Sequence, residues 1–240
     1  MAERTHHRRD PSRDRGKAVA EAPQPGEPIL VLGLGRFGGA VAAELVRLGF
    51  EVLGVDASAR NVQHYARLIT HVVEGDATSD EVLRQLGAAE VRHAVVGIGS
   101  DIEASILATA ALEDLGVANI WAKAVTKAHG RILERVGAHH VIYPEHDMGH
   151  RVAHLLGGRM IDWLQLDEQF ALVETVVPRT LAGQTLQDAG VRAAYGVTVV
   201  CVKPAGGTFT YATPDTVMER GDVLVVAGPT EAAEAFARLA

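Results

Sequence analysis

From Pro28 onward, short apolar runs alternate with longer stretches whose apolar residues recur every three or four positions. Strands joined by crossover helices produce this rhythm. The strands so read are PILVLG, EVLGVD, HVVEGD, HAVVGIG, NIWAKA and HVIYP. Between them lie the helical segments GGAVAAELVRLG, ASARNVQHYARLI, TSDEVLRQLG, DIEASILATAALEDLG and TKAHGRILERVG, most of them closed by the glycine expected at a helix end. Residues 28–144 are thus expected to form an α/β domain with a Rossmann-like, doubly wound parallel sheet. After Pro144 the rhythm changes. EHDMGHRVAHLLGGRMIDWL reads as one helix interrupted near Gly157 and Gly158, a crossover or hinge spanning residues 145–165. QFALVETVV then reads as a strand, TLAGQTLQDAGVRAAYG as a loop with a short helix, VTVVCVKPAGGTFTY as a hairpin, DVLVVAG as a strand and EAAEAFARLA as a closing helix. Residues 166–240 are expected to form a small α+β domain.

Composition narrows the function classes. The net charge of −7 offers no basic footprint for nucleic acid, and 5% aromatic residues leave few stacking platforms for bases. One cysteine, Cys201, excludes an intramolecular disulfide framework and suits a small core residue in a strand. No apolar run approaches the roughly 20 residues that cross a bilayer, and the charged amino terminus lacks a signal-peptide core, so a cytoplasmic location is expected. Residues 1–27 mix charge with alanine, proline and glycine and read as a disordered tail. Its RTHHRRDPSRDRGK cluster is either simply solvated or a contact for an anionic lipid surface.

The chemistry concentrates at the strand ends. Gly33, Gly35 and Gly38 form GxGxxG directly after the first strand and at the start of a helix, the arrangement that cradles a pyrophosphate. Asp56 ends the second strand, where a carboxylate accepts from the adenosine ribose hydroxyls and repels a 2′-phosphate. The ligand expected is NAD, ADP or ATP. Asp76 ends the third strand in GDATS, near the expected adenine position, and the loop Gly97 to Asp101 should border the phosphates. Each aspartate is also a natural helix cap, Asp56 for the segment near Ser58 and Asp76 for that near Thr78. Arg36 is unexpected, since helix amides alone suffice for a pyrophosphate. It hints at further negative charge.

GLGRFG, Asp56, EGDAT, GIGSDIEAS, NIWAKA and YPEHDMG, in this order and spacing, resemble the RCK (TrkA/KtrA-type) regulatory subunits of bacterial potassium-uptake systems, and the KtrA branch most closely. VRAAYGVTVVCVKPAG and ERGDVLVVAG resemble the second domain of that family, so the likeness covers residues 28–240. The resemblance implies an RCK amino-terminal domain followed by an RCK carboxy-terminal (TrkA-C) domain, with no enzymatic activity. It implies homodimers assembled into an octameric gating ring beneath a KtrB-type membrane channel, peripheral to the inner face of the cell membrane, with ATP and ADP setting different ring shapes. The implied nucleotide contacts are Gly33, Gly35, Arg36, Phe37 and Gly38 in the first loop, and Asp56, Ala57 and Ser58 after the second strand. Asp76 and Ala77 follow the third strand, and Ile98, Gly99 and Ser100 the fourth. Arg36 would meet the γ-phosphate, directly or from a neighbouring subunit.

Glu145 matches the family carboxylate that reaches a divalent cation, Mg²⁺ or Ca²⁺, near the ATP phosphates at the dimer interface; without that match it would read as a first-turn helix charge. Lys123 and His129 match nucleotide-contacting positions and could equally be solvated surface residues. His146, His150 and His154 recur at four-residue spacing, as exposed or interface histidines or as a transition-metal site. Met148, Trp163 and Leu164 suit packing at a subunit interface. Cyclic di-AMP, which related subunits bind in the second domain, would meet Arg179, Arg192 and Tyr195. Two other readings compete: an NAD-dependent dehydrogenase, for which the second domain offers no convincing acid or base, and a sensor of NAD(H) acting as a repressor, for which no basic recognition helix is seen.

Overall fold

The central strand β1 (Pro28–Leu32) is apolar on both faces because both are covered: Leu30 and Leu32 enter one cluster, Ile29 and Val31 the other. Near-continuous apolar runs are what a strand flanked by helices on both sides requires. The computed structural model describes residues 23–24, 26–157, 160–167 and 169–240. It divides after Pro144 into two compact units. The first unit adds β2 (Glu51–Asp56), β3 (His71–Glu74), β4 (His93–Val96), β5 (Asn119–Lys123) and β6 (His140–Ile142). All six strands run parallel in the order β3-β2-β1-β4-β5-β6. The crossovers carry α1 (Arg36–Arg47), α2 (Ala59–Tyr65), α3 (Asp80–Gln85), α4 (Ile102–Asp114) and α5 (Lys127–Arg135). Strand order reverses at β1 and β4, and such a switch point leaves a crevice outside the carboxyl ends of the strands. The expected Rossmann-like sheet is therefore present, strand for strand.

In the second unit, α6 (Pro144–Gly157) does not continue through MIDWL. That segment is β7 (Met160–Gln165), an edge strand antiparallel to β8 (Phe170–Val176). The single helix expected up to Leu164, and with it the crossover helix over 145–165, is thereby corrected: pairing with β8 claims the last six residues as sheet. Gly158, where an interruption was expected, lies outside the described residues, as does nearly all of the expected tail over 1–27. β9 (Gln184–Thr185), α7 (Leu186–Ala189) and α8 (Val191–Tyr195) follow, then the hairpin of β10 (Thr198–Lys203) and β11 (Thr210–Tyr211). β12 (Val217–Met218) pairs β9, and β13 (Val223–Pro229) lies between β8 and β10 before α9 (Thr230–Ala237) closes the chain. Its core gathers Trp163, Val173, Val197, Val202, Met218, Leu224, Val226 and Phe236.

Candidate nucleotide site and family

The loop after β1 is shaped by what its glycines exclude. Gly33 has φ +84°, a conformation side chains resist, and a Cβ there would stand 2.7 Å from Ile98 Cγ1. A Cβ on Gly38 would stand 1.9 Å from the Gly33 carbonyl oxygen, so α1 touches the loop with bare backbone. Gly97 completes the contact from β4, since its Cβ would lie 2.8 Å from Gly38 Cα and 2.9 Å from Gly33 O. Gly35 is the opposite case, with no atom within 4 Å of where its Cβ would be. It is the residue before α1, and the first turn of that helix carries no acidic side chain. Helices α3, α4 and α5 begin on Ser79, Asp101 and Thr126, whose side chains accept from the first turn. α1 has only a glycine there, so no side chain of its cap residue covers its leading amides. Arg36 is the first residue of α1 and is exposed, and Phe37 follows it.

Asp56 is tied into the fold by three hydrogen bonds. Its Oδ2 accepts from Leu34 N at 2.6 Å, inside the glycine loop, and its Oδ1 accepts from Ser58 N at 2.8 Å and Asn61 Nδ2 at 3.1 Å. Ala57 and Ser58 carry the chain from this carboxylate into α2, and Ser58 makes no side-chain cap of its own. Asp76 accepts from the Thr78 hydroxyl at 2.7 Å and the Thr78 amide at 2.9 Å. Those two bonds, the hydroxyl first, hold its carboxyl below the usual carboxylate range. Ala77 beside it is buried. At the fourth strand, Gly97 N donates to Leu32 O at 2.7 Å, Ile98 packs on the core, and Gly99 comes within contact of Lys123, whose Nζ would be 3.1 Å from a Cβ there. Ser100 is exposed before the α4 cap, Asp101.

Lys123 and His129 are not surface residues, at 9% and 2% exposure. Lys123 Nζ lies 5.7 Å from the centroid of the Phe37 ring, which brings an ammonium to the glycine loop. His129 Nδ1 accepts from Val125 N at 3.4 Å, and its buried Nε2 has no hydrogen-bond partner among the described residues. Burial lowers its pKa, so the fold holds the neutral ring. An imidazole lowered in the folded state contributes stability that is fully present above its unfolded value, about 6.5, and is lost as pH falls below it. The melting temperature is therefore expected to drop between about pH 7.5 and pH 5.5, and His129→Gln should make that drop smaller. Identical pH profiles for the two proteins would overturn this. His140, stacked on Trp121 at 4.0 Å and also lowered by burial, contributes with the same sign and remains in the variant.

Glu145 lies in the first turn of α6, exposed, at the start of the second unit. The histidine stripe splits. His146 and His150 stack on each other at 4.4 Å, whereas His154 stacks on Trp163 at 4.1 Å and pairs with Glu234 at 3.0 Å. No group of three or more potential metal ligands forms among the described residues. Trp163 is buried in the core of its own unit, not on an interface, while Met148 and Leu164 are exposed. Arg151 forks onto Asp162 at 2.9 and 2.6 Å and holds that carboxyl below its usual range. A groove of about 510 Å³ opens between α7, α8 and β10, lined by Gln187, Arg192, Thr198, Thr213 and Pro214 among others. Arg192 belongs to it and Arg179 does not. Tyr195 instead meets Phe236 edge to face at 5.4 Å. Cys201 is half-buried on β10.

Gly97 as a packing partner and Asn61 as a donor to Asp56 are the contributions that sequence reasoning missed. The glycine at the end of a strand in GIGSD carried a signal for the first; nothing in local spacing carried one for the second.

The TrkA-N domain profile matches residues 29–144 and the TrkA-C domain profile residues 171–240. The chain is 40% identical over 199 residues to Ktr system potassium uptake protein C of Bacillus subtilis (strain 168), covering 82% of this chain and 90% of that protein. It is 36% identical over 202 residues to Ktr system potassium uptake protein A of Vibrio alginolyticus, covering 84% and 92%. Among solved structures, the GsuK RCK domain superposes with a TM-score of 0.63 at 21% identity, over 91% of this chain. A GsuK channel described as bound to NAD superposes with 0.61, also at 21%. The chain spans about half the length of the first of these and 42% of the second. These two show the likeness of fold. No helix among the described residues is long and apolar enough to cross a membrane. With a nucleotide-type Rossmann unit, a TrkA-C unit and this identity along nearly the whole of its relatives, the chain belongs to the RCK family of TrkA-N/TrkA-C proteins, among the KtrA-type potassium-uptake subunits.

Proposed function

We propose that this protein is the non-enzymatic, nucleotide-sensing subunit of a Ktr-type potassium-uptake system, binding ATP and ADP in residues 28–144. The observation that carries the reading is the glycine-walled loop opening on the bare amino terminus of α1, with Gly35 unobstructed and Arg36 beside it. Lys123 adds a second cation at the same loop. In this reading the glycine amides and α1 hold the phosphates, Asp56 the ribose, and Asp76 lies toward the adenine. Ala57, Ser58, Ala77, Ile98, Gly99, Ser100 and His129 shape the walls. ATP differs from ADP only by its γ-phosphate, so a switch needs a group that meets that charge. Arg36 supplies it. Glu145, by its match to the family carboxylate, would offer a hard oxygen ligand to a divalent cation, Mg²⁺ or Ca²⁺. Homodimers assembled into an octameric ring would transmit the difference to a KtrB-type membrane channel, placing the protein at the cytoplasmic face of the membrane.

Calorimetric titration with ATP, ADP, NAD⁺ and NADH, with and without Mg²⁺ or Ca²⁺, tests this. Arg36→Ala is expected to weaken ATP roughly tenfold more than ADP, the worth of one charge-assisted hydrogen bond. Strong binding of NADH with none of ATP would overturn the reading in favour of a dinucleotide sensor, a ligand that the NAD-bound GsuK channel makes the natural comparison.

In residues 166–240, the groove beside Arg192 supports a second reading: a site for cyclic di-AMP, its phosphate met by the guanidinium. Binding to the full chain that survives Arg192→Ala would remove Arg192 from it.

A further inference from the structure

The Asp56 carboxylate is held from three directions by this chain alone. Leu34 N reaches Oδ2, while Ser58 N and Asn61 Nδ2 both reach Oδ1. A carboxylate offers about four acceptor positions, two per oxygen. Oδ1 is therefore filled, and Oδ2 keeps one position beyond the Leu34 amide. Two of the three donors are main-chain amides; Asn61, half-buried on α2, is the only side chain among them. Without it, Ser58 N and Leu34 N would still bind the carboxylate but would leave its second Oδ1 position open and its plane less constrained.

We infer that Asn61 is a positioning residue for ribose recognition: by filling Oδ1 it leaves Oδ2 of Asp56 as the atom that accepts from a sugar hydroxyl, and so sets selectivity for ribonucleotides over deoxyribonucleotides. The inference rests on the nucleotide-binding reading above. It has a built-in consequence, because Oδ2 is also the oxygen that holds Leu34 in the glycine loop. The sugar hydroxyl and the phosphate loop thus share one acceptor atom, and a carboxylate turned out of place would loosen both.

The experiment is a calorimetric comparison of ATP, 2′-deoxy-ATP and 3′-deoxy-ATP on the full-length protein, on Asn61→Ala and on Asn61→Asp, with melting temperatures recorded for each. The native protein is expected to bind ATP roughly tenfold more tightly than at least one deoxy analogue, as loss of one hydrogen bond to a charged acceptor requires. In Asn61→Ala that ratio should shrink to within about twofold while the melting temperature stays near native. Asn61→Asp keeps the shape, removes the donor and adds a like charge, and should lose the same selectivity with weaker ATP binding overall. A role confined to stabilising α2 would weaken all three ligands alike and leave the ratio unchanged in both variants, which overturns the inference and leaves the function intact. A native protein that binds ATP and both analogues equally also overturns it. Failure of the native protein to bind any of the three removes the ATP-binding reading on which the inference rests, and the inference with it.

Discussion

Gly38→Ala is expected to cost about 3 kcal/mol of stability and to abolish nucleotide binding, because the added methyl has nowhere to go. Its Cβ would stand 1.9 Å from the Gly33 carbonyl oxygen and 3.1 Å from the Gly33 carbonyl carbon, with Gly97 Cα at 3.5 Å behind them. These are main-chain atoms. Gly33 N is tied to Val55 O at 2.8 Å and Gly97 N to Leu32 O at 2.7 Å, so neither wall can retreat without breaking a sheet-end hydrogen bond. Gly35→Ala is the control. Its φ of −66° suits any residue and its Cβ would meet nothing, so the fold should lose little, while a methyl at the mouth of α1 would occupy space required for phosphate. The chain has two tryptophans, Trp121 on β5 of the first unit and Trp163 on β7 of the second. Urea unfolding read by Trp121 fluorescence in a Trp163→Phe background follows the first unit, with ATP titration alongside. A native midpoint and native affinity in Gly38→Ala would show that α1 does not rest on the loop backbone.

Phe236→Ala is expected to cost about 4 kcal/mol in the second unit, within the range for a fully buried aromatic side chain. Phe236 is 1% exposed on α9 between Ala233 and Ala237, which are too small to close the cavity left behind. Its edge-to-face contact with Tyr195 adds a second loss. Tyr195 is the last residue of α8, the helix that brings Val191 and Arg192 to the groove, so the same change should weaken any ligand bound there. Unfolding read by Trp163 in a Trp121→Phe background measures the first effect. Phe209→Ala, at an exposed position in the hairpin, should shift the midpoint by no more than about 0.5 kcal/mol. Equal effects of the two substitutions would mean that α9 does not seal this core.

Much of the first unit was legible in the residue order because its determinants are local or periodic. ILVL and AVV are apolar since both faces of a central parallel strand are covered, and three of the crossover helices, α3, α4 and α5, carry their own caps, Ser79, Asp101 and Thr126. The GxGxxG loop was legible for a related reason: a positive φ at Gly33 and a backbone-to-backbone approach at Gly38 admit no other residue, so the requirement is written as glycine. MIDWL was misread because five residues after an amphipathic helix carry too little periodicity to tell a helical turn from an edge strand. β8 decides the matter, by pairing with it across the hairpin.

The sequence by itself thus determined the parallel sheet and the glycine-lined loop at the carboxyl end of its first strand, since each follows from burial on two faces or from steric limits on single residues. Only the tertiary structure decided that His129 is buried, that Lys123 is buried beside the glycine loop, that Trp163 packs under His154 in its own core, and that Asn61 holds Asp56. These depend on which elements meet in space, and a contact between residues distant in sequence, or set by the turn between strand and helix, leaves no period along the chain to read.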